Sequence, residues 1–137
     1  MSDAPPPKFV PDPDGRNADF YRHLASGRVH LQCCDDCART LHPPRYLCAG
    51  CGSDRLSFVP ARGGGRLFSW TVTHRPVDPG WAVDGPFATV VVEMAEGVRL
   101  VGGWRGALSE LAIDRPVVCE VEKVSEAFAR IYFKSGG

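Results

Sequence analysis

Four of the six cysteines stand in two pairs whose spacing suits metal binding. Cys34 and Cys37 form one Cys-x-x-Cys pair, Cys48 and Cys51 form the other, and ten residues separate the two. Each pair can occupy a tight turn, or knuckle, so that four thiolates point at one tetrahedral centre. Because four sulfur ligands leave no open position on zinc, the prediction is a structural zinc ion. An iron site and a redox pair are the alternatives.

The other two cysteines have simpler interpretations. Cys33 precedes Cys34 directly, but its spacing to Cys37 is wrong for a compact knuckle, so Cys34 is predicted as the first ligand. Cys119 lies in an apolar run and is interpreted as a small buried hydrophobic residue.

The sequence favours a cytoplasmic protein with no membrane partner. No apolar run reaches the length of a membrane span, and residues 1–10 are proline-rich without the apolar core of a signal peptide. In a reducing compartment, metal binding explains paired cysteines better than disulfide bonds do.

The sequence contains no recognisable catalytic motif. The chain has no Gly-x-Ser-x-Gly elbow, no His-Glu-x-x-His motif and no glycine-rich phosphate loop ahead of a helix. Its four histidines are scattered along the sequence. We therefore expect no enzymatic activity from the chain on its own.

The charge distribution bears on nucleic acids as partners. The formal net charge is zero, although residues 16–75 hold nine arginines against four acidic residues. A neutral chain lacks the general attraction for phosphates that drives nucleic-acid binding, so no nucleic acid is expected. A nucleic-acid-binding module remains the alternative function, because zinc ribbons and OB folds both occur in such proteins.

The first part of the chain predicts an arm, a helix and a ribbon. Residues 1–15 are rich in proline and predict a flexible arm. Phe20, Tyr21 and Leu24 have helical spacing and predict a short helix over residues 17–26. Residues 28–32, 40–47 and 55–60 are predicted strands around the knuckles, which places the helix and zinc ribbon in residues 16–62. Gly63, Gly64 and Gly65 then predict a hinge.

Residues 63–137 predict a five-stranded barrel. The strand candidates cover residues 66–74, 87–95, 98–104, 116–124 and 128–134, with one short helix at residues 107–111. Five strands with a helix between the third and fourth are typical of an OB-type Greek-key barrel. The predicted fold class is therefore mostly β: an N-terminal helix and rubredoxin-like zinc ribbon followed by a five-stranded OB-fold barrel.

Several motifs together resemble one known family, the small proteins with a zinc ribbon and an acyl-CoA-associated OB fold known as domain of unknown function thirty-five. The likeness spans nearly the whole chain. The motifs are DFY at 19–21, LQCCDDC at 31–37, HPPRYLCAGCGS at 42–53, GGGRLFSWTVTHRP at 63–76, GPFATVVVEMAEGVRLVGG at 85–103 and ARIYFK at 129–134. The chain departs from the family at Ala38, where a glycine is usual after the second cysteine.

The resemblance implies a role in acyl-CoA metabolism. Family members are non-catalytic partners of thiolase-like enzymes and, in some cases, of hot-dog-fold hydratases, including enzymes of steroid side-chain degradation. The expected function is thus an accessory subunit that stabilises an acyl-CoA aldolase, thiolase or hydratase. A thiolase-like retro-aldolase of the lipid-transfer type is the first choice, with acyl-CoA a candidate ligand at the shared interface.

Five residues are candidate contacts to the partner or to acyl-CoA: Phe20, Tyr21, Arg45, Arg75 and Trp81. Trp81 lies in a long loop at residues 75–86, where it is either a docking anchor or a cover for the barrel end. The aromatic pair of the helix either contacts a partner or covers the ribbon. Arginines clustered in sequence are candidates to contact phosphates or acidic groups, or form a solvated face; they are Arg39, Arg45, Arg62, Arg66 and Arg75.

Overall fold

The N-terminal helix forms close to its predicted position. The structure, a computed structural model, describes residue 4 and residues 6–136. Helix α1 spans Gly15–Ala25, and the chain leaves it through Gly27 at φ 114°, a left-handed conformation that glycine adopts at no steric cost. Phe20, Leu24 and Ala25 form its buried face.

The ribbon is a small antiparallel sheet. Its strands are β1 (His30–Cys34), β2 (Thr40–Leu41) and β3 (Leu56–Pro60), in the order β2-β1-β3. The predicted strand over residues 40–47 is wrong beyond Leu41. Pro43 and Pro44 follow, and proline has no N–H to donate to a strand ladder, so the chain leaves the sheet there.

The five remaining strands close into a barrel. They are β4 (Gly64–Thr73), β5 (Phe87–Met94), β6 (Arg99–Trp104), β7 (Pro116–Lys123) and β8 (Ala129–Ser135). Their order around the barrel is β4-β5-β6-β8-β7. Strands β6 and β8 pair in parallel, and the other pairs are antiparallel. The fold is therefore mostly β, with a helix, a ribbon and an OB-like barrel, as predicted.

Two of the three glycines that were predicted to form a hinge lie in a β-strand. Gly64 and Gly65 belong to β4 and pair with β7 through Val118 and Val117. A Cβ at Gly65 would lie 2.3 Å from the carbonyl oxygen of Glu93. The glycine thus permits two strands to approach closely.

Short helical turns complete the barrel connections. Helix α2 (Pro79–Ala82) lies within the long loop before β5, and a 3-10 turn at Leu108–Glu110 occupies the position of the predicted short helix. The side chain of Asp78 caps α2 by accepting a hydrogen bond from the N–H of Gly80 at 2.9 Å. Among the described residues, no helix is long and apolar enough to cross a membrane.

The helix, the ribbon and the barrel share one hydrophobic core. Leu24 from α1, Val29 and Leu31 from the ribbon segment, and Leu67 and Phe133 from the barrel belong to a single buried cluster. A second, smaller cluster contains Cys34, Leu41 and Cys48. Division of the chain at residues 15/16 and 62/63 stays a prediction, and β3 lies within the ribbon sheet.

Candidate metal centre and barrel groove

Four sulfur atoms converge at the tip of the ribbon. The Sγ atoms of Cys34, Cys37, Cys48 and Cys51 all lie within 4.8 Å of one another. The Cys34–Cys51 and Cys37–Cys48 separations are both 3.6 Å. Zinc–sulfur bonds of about 2.3 Å in a tetrahedron require sulfur atoms about 3.8 Å apart. The four residues therefore fit a tetrahedral metal ion.

The two knuckles repeat the same backbone bonds. The N–H of Cys34 donates to the carbonyl of Arg39, and that of Cys48 donates to the carbonyl of Ser53, at 2.9 and 2.8 Å. In each pair the first cysteine is buried and the second is exposed. The repetition presents four sulfur atoms from two equivalent turns, as a closed site requires.

The residue after each second cysteine is left-handed. Gly52 has a φ of 79° and Ala38 a φ of 63°. In both turns this residue donates its N–H to the carbonyl of the first cysteine at 2.9 Å, to Cys34 from Ala38 and to Cys48 from Gly52. Alanine is disfavoured in this conformation, so the departure at Ala38 places a strained residue beside the metal centre.

A buried glutamine fixes the approach to the second knuckle. Gln32, only 2% exposed, donates to the carbonyl of Arg45 and accepts from the N–H of the same residue, both at 2.8 Å. Gln32 lies on β1 two residues before Cys34, and Arg45 lies three residues before Cys48. The amide thus ties the two halves of the metal centre together.

A surface network links the two knuckles a second time. Asp36, inside the first pair, accepts hydrogen bonds from Arg55 and Ser53, which follow the second pair. The bond from Arg55, followed by that from Ser53, lowers the pKa of Asp36 to about 2. The carboxylate is therefore ionised at neutral pH and available to both donors.

The thiols themselves favour a bound cation. The backbone N–H of Cys51, followed by that of Gly50, lowers the pKa of Cys48 to about 6. The backbone N–H of Ser53 acts in the same direction on Cys51, but its neighbouring thiols, Cys34 first, raise the pKa of Cys51 to about 12. Four close sulfur atoms cannot all ionise without a compensating charge. A divalent metal supplies that charge and displaces the protons.

An apolar groove lies at one end of the barrel, away from the cysteines. Its volume is about 590 Å³. Aromatic and proline side chains dominate its walls, contributed by the arm, the helix, the long loop and the barrel strands: Phe9, Pro11, Tyr21, Trp81, Phe87 and Tyr132. Trp81 packs against Phe87 with ring centroids 5.2 Å apart.

The predicted contact residues occupy different surroundings. Phe20 is only 4% exposed and packs on the ring of His42, so it is part of the core. Tyr21 and Trp81 both line the apolar groove. Arg75 is exposed on the same loop as Trp81. The structure thus brings two of the five together, and their contact roles stay predictions.

Arg45 lines a separate polar groove between the ribbon and the β5–β6 turn. Arg39 and Arg99 line it too, together with Glu93 and Glu96. Within the part of the chain that the structure describes, the five arginines predicted to cluster make no ion pair. Of the five, Arg39 and Arg45 line this groove, whereas Arg62, Arg66 and Arg75 line neither of the two grooves. Their contact with phosphates or acidic groups stays a prediction.

Comparison with known proteins assigns the family. Residues 22–57 match the rubredoxin-like zinc ribbon domain of ChsH2, and residues 58–122 match the C-terminal OB-fold domain of ChsH2. The fold also superposes on a solved chain of the "Ltp2-ChsH2(DUF35) aldolase" with a TM-score of 0.83 and 30% identity, covering 92% of this chain and 98% of that one. The chain belongs to the ChsH2 (DUF35) family.

Two curated relatives of this ChsH2-family chain are hydratase subunits. A probable enoyl-CoA hydratase alpha subunit of Thermomonospora curvata is 35% identical over 105 residues, which is 76% of this chain and 32% of the relative. The 3-oxo-4,17-pregnadiene-20-carboxyl-CoA hydratase alpha subunit of Mycobacterium tuberculosis is 40% identical over 77 residues, 56% of this chain and 24% of the relative. The chain thus spans only a third or less of these relatives.

A more distant solved structure shares only the fold. The DUF35 protein of unknown function from Sulfolobus solfataricus has a TM-score of 0.58 at 14% identity, with 86% of this chain covered and 83% of that one.

Sequence reasoning missed two features of this ChsH2-family chain. The first is the buried position of Gln32, because a glutamine between Leu31 and Cys33 is expected to face solvent in an alternating strand. The second is the contact between the arm and α2. The pairing of Asp78 with Phe9 spans 69 positions in sequence and leaves no periodic pattern.

Proposed function

We propose that this protein is a non-catalytic accessory subunit of an acyl-CoA-processing enzyme. The observation that carries the proposal is the likeness to a chain of the Ltp2-ChsH2(DUF35) aldolase over almost the whole of both chains. The proposed partner is a thiolase-like retro-aldolase of the lipid-transfer type, in lipid or steroid side-chain degradation. A thiolase and a hot-dog-fold hydratase are further candidates, the latter supported by the names of the two curated relatives.

In this proposal the metal centre has a structural role. One zinc ion, when bound, cross-links the two knuckles; its ligands are Cys34, Cys37, Cys48 and Cys51. The four thiolates occupy every tetrahedral position, so the site offers no place for substrate. Gln32 and Asp36 orient the turns that carry the cysteines.

The barrel surface also supports a protein partner over a nucleic acid. Outward positions on the paired strands β5 and β6 include Thr89 opposite Gly103 and Val91 opposite Val101. In OB folds the equivalent strands carry the aromatic and basic residues that bind oligonucleotides. Here that face is uncharged over these two pairs, and the next outward pair, Glu93 opposite Arg99, carries opposite charges. The three pairs therefore present no excess of positive charge, which suits contact with another protein better than with a nucleic acid.

Co-expression tests the proposal. The chain is produced with a thiolase-like aldolase, and separately with a hot-dog-fold hydratase, each from the same genome, and each pair is analysed by size-exclusion chromatography and by acyl-CoA turnover. We expect co-elution and turnover that requires both chains, whereas this chain alone turns over no acyl-CoA. Separate elution with equal enzyme activity in its absence would contradict the proposal. Salt-sensitive binding to single-stranded nucleic acid would then favour the alternative function.

The side chain of Trp81 is the first interface probe. It lies in the apolar groove on a short capped helix, which suits an aromatic anchor. We expect Trp81→Ala to weaken the complex by about 30-fold, since truncation of a central aromatic anchor costs about 2 kcal/mol or more. Phe68→Ala, at an exposed aromatic residue on β4 that does not line the groove, serves as control.

A further inference from the structure

The N-terminal arm is attached to helix α2 by backbone and side-chain contacts. The backbone N–H of Phe9 donates to the carboxylate of Asp78 at 3.2 Å. Lys8 forms a 2.8 Å ion pair with Asp84 and lies 5.1 Å from the ring centroid of Trp81. These bonds hold residues 8 and 9 against the long loop on both sides of α2.

Gly80 is the point at which the arm lies closest to α2. It is buried, and an ideal Cβ at this position would lie 2.4 Å from the carbonyl oxygen of Pro7 and 2.7 Å from the Cα of Lys8. No real side chain tolerates such distances to backbone atoms. The arm occupies the space that a side chain at position 80 would take.

This attachment holds apolar side chains in solvent. Phe9 is 72% exposed although its own backbone is hydrogen-bonded, and Val77 is 99% exposed. Both line the same groove as Trp81. We call these three residues the arm-loop patch. A large apolar side chain fixed in an exposed position gains free energy when another surface covers it.

The charges around the patch indicate what covers it. Asp84 is paired with Lys8, and Asp78 accepts hydrogen bonds from Phe9 and Gly80. Both carboxylate oxygens of Asp78 accept backbone hydrogen bonds, and Arg130, which lies 5.6 Å from the ring centroid of Trp81, is paired with Glu122. The charged groups at the centre therefore already have partners within the chain, and the patch suits an apolar covering surface. Arg75, two residues before Val77, makes no ion pair within the described residues, so a carboxylate at the edge of the covering surface would complement it.

We propose that the arm and the loop at residues 75–86 form one composite docking surface for the partner enzyme, and that attachment of the arm to α2 preorganises it. This inference rests on the proposed function. The enzyme contributes an apolar face over Phe9, Val77 and Trp81, with a carboxylate at the margin facing Arg75. Because the arm is already fixed, binding does not have to order it, which lowers the entropic cost of association.

Two variants of the full chain test the surface itself. Affinity for the co-expressed enzyme is measured by titration with purified proteins. Phe9→Ala removes the exposed ring and is expected to weaken binding at least about tenfold. Phe68→Ala is the matched control, because Phe68 is a partly exposed aromatic residue on β4 that does not line the groove. Its affinity should stay within about twofold of wild type, as expected for residues outside the contact.

A third variant tests the attachment of the arm. Gly80→Ala suits a helix but forces Pro7 and Lys8 away, so trypsin should cleave after Lys8 faster than in wild type. Binding should weaken even though no apolar side chain has been removed. Circular dichroism with an unchanged melting temperature shows that the variant is folded. Asp84→Asn removes the ion pair with Lys8 but keeps the trypsin site, and it offers a milder release of the arm should Gly80→Ala prove unstable.

The outcomes separate this inference from the proposed function. If wild type binds the enzyme and both Phe9→Ala and the arm-releasing variant bind equally well, the docking surface lies elsewhere and the inference is overturned. If wild type forms a homodimer that Phe9→Ala dissociates, a second copy of the chain covers the patch, and the inference is again overturned. If wild type does not bind the enzyme at all, the proposed function fails, and the inference fails with it.

Discussion

At the scale of single residues, Cys48 and Cys33 provide a matched test of the metal centre. Cys48→Ser replaces one of four converging sulfur atoms, and we expect zinc content to fall from about one equivalent to less than half, since a three-cysteine site is weaker. Cys33→Ser should retain full zinc, because its Sγ points to the carbonyl of Cys34 and lies outside the cluster. Metal analysis after gel filtration measures both, and retention of zinc in Cys48→Ser would contradict the assignment.

The two left-handed positions give a reciprocal prediction. Ala38→Gly relieves an alanine at φ 63° and should stabilise the zinc-loaded protein by up to about 1 kcal/mol. Gly52→Ala, at φ 79°, should destabilise it by about 1 kcal/mol. A Cβ at Gly52 meets no atom within 4 Å, so the second effect is conformational and not steric. Denaturant unfolding of the zinc-loaded protein measures both changes, and effects of the same sign would refute this explanation.

At the scale of elements, Gln32 connects strand β1 to the segment before the second knuckle. Gln32→Leu leaves the N–H and carbonyl of Arg45 without their buried partner and should cost about 1–3 kcal/mol in the free energy of unfolding. Arg45→Ala is the control: it keeps the backbone groups that bond to Gln32 and should be nearly neutral. Urea unfolding of both variants provides the measurement. Equal losses in the two variants would contradict a specific role for the two hydrogen bonds between Gln32 and the backbone of Arg45.

Helix α1 and the ribbon meet at His42, which gives a prediction about pH. Burial lowers the pKa of His42, whose ring packs on Phe20 of the helix. His42 therefore binds a proton more readily in the unfolded chain than in the folded one. Its contribution to the free energy of unfolding is fully present above a pH of about 6.5, the usual pKa of histidine, and is lost as the pH falls towards the pKa in the folded state. We expect His42→Phe to flatten the decline in unfolding free energy between pH 7.5 and 5.5. An unchanged slope, with zinc content verified at both values, would contradict this.

At the scale of the whole molecule, the shared core predicts cooperative unfolding. Leu24, Val29, Leu67 and Phe133 belong to one cluster that spans helix, ribbon and barrel. Zinc removal should therefore lower the melting temperature of a single transition, by about 10 °C or more, because the metal binds only the folded ribbon. Calorimetry with and without chelator measures this. Two separate transitions, with the barrel unaffected by chelation, would indicate independent units.

The sequence alone predicted most of the barrel. A run rich in β-branched residues predicted the strand at residues 87–95, and regular alternation supported the last strand. All five barrel strands lie within two residues of their predicted ends. Such strands are specified locally, because one face must be buried and the other exposed. The strand predicted at residues 40–47 ends at Leu41, because Pro43 and Pro44 cannot donate to a strand ladder.

The sequence by itself identified the four candidate metal ligands and the family. Only the tertiary structure decided which distant segments meet at the metal centre and at the arm-loop patch. Spacing identified the cysteines because each knuckle is a local turn, and the convergence of their sulfur atoms followed. The hydrogen bonds between Gln32 and Arg45 join residues 13 positions apart, and the hydrogen bond from Phe9 to Asp78 joins residues 69 positions apart. No local pattern encodes such pairs. They exist because closure of the barrel and folding of the ribbon bring distant segments within hydrogen-bonding distance.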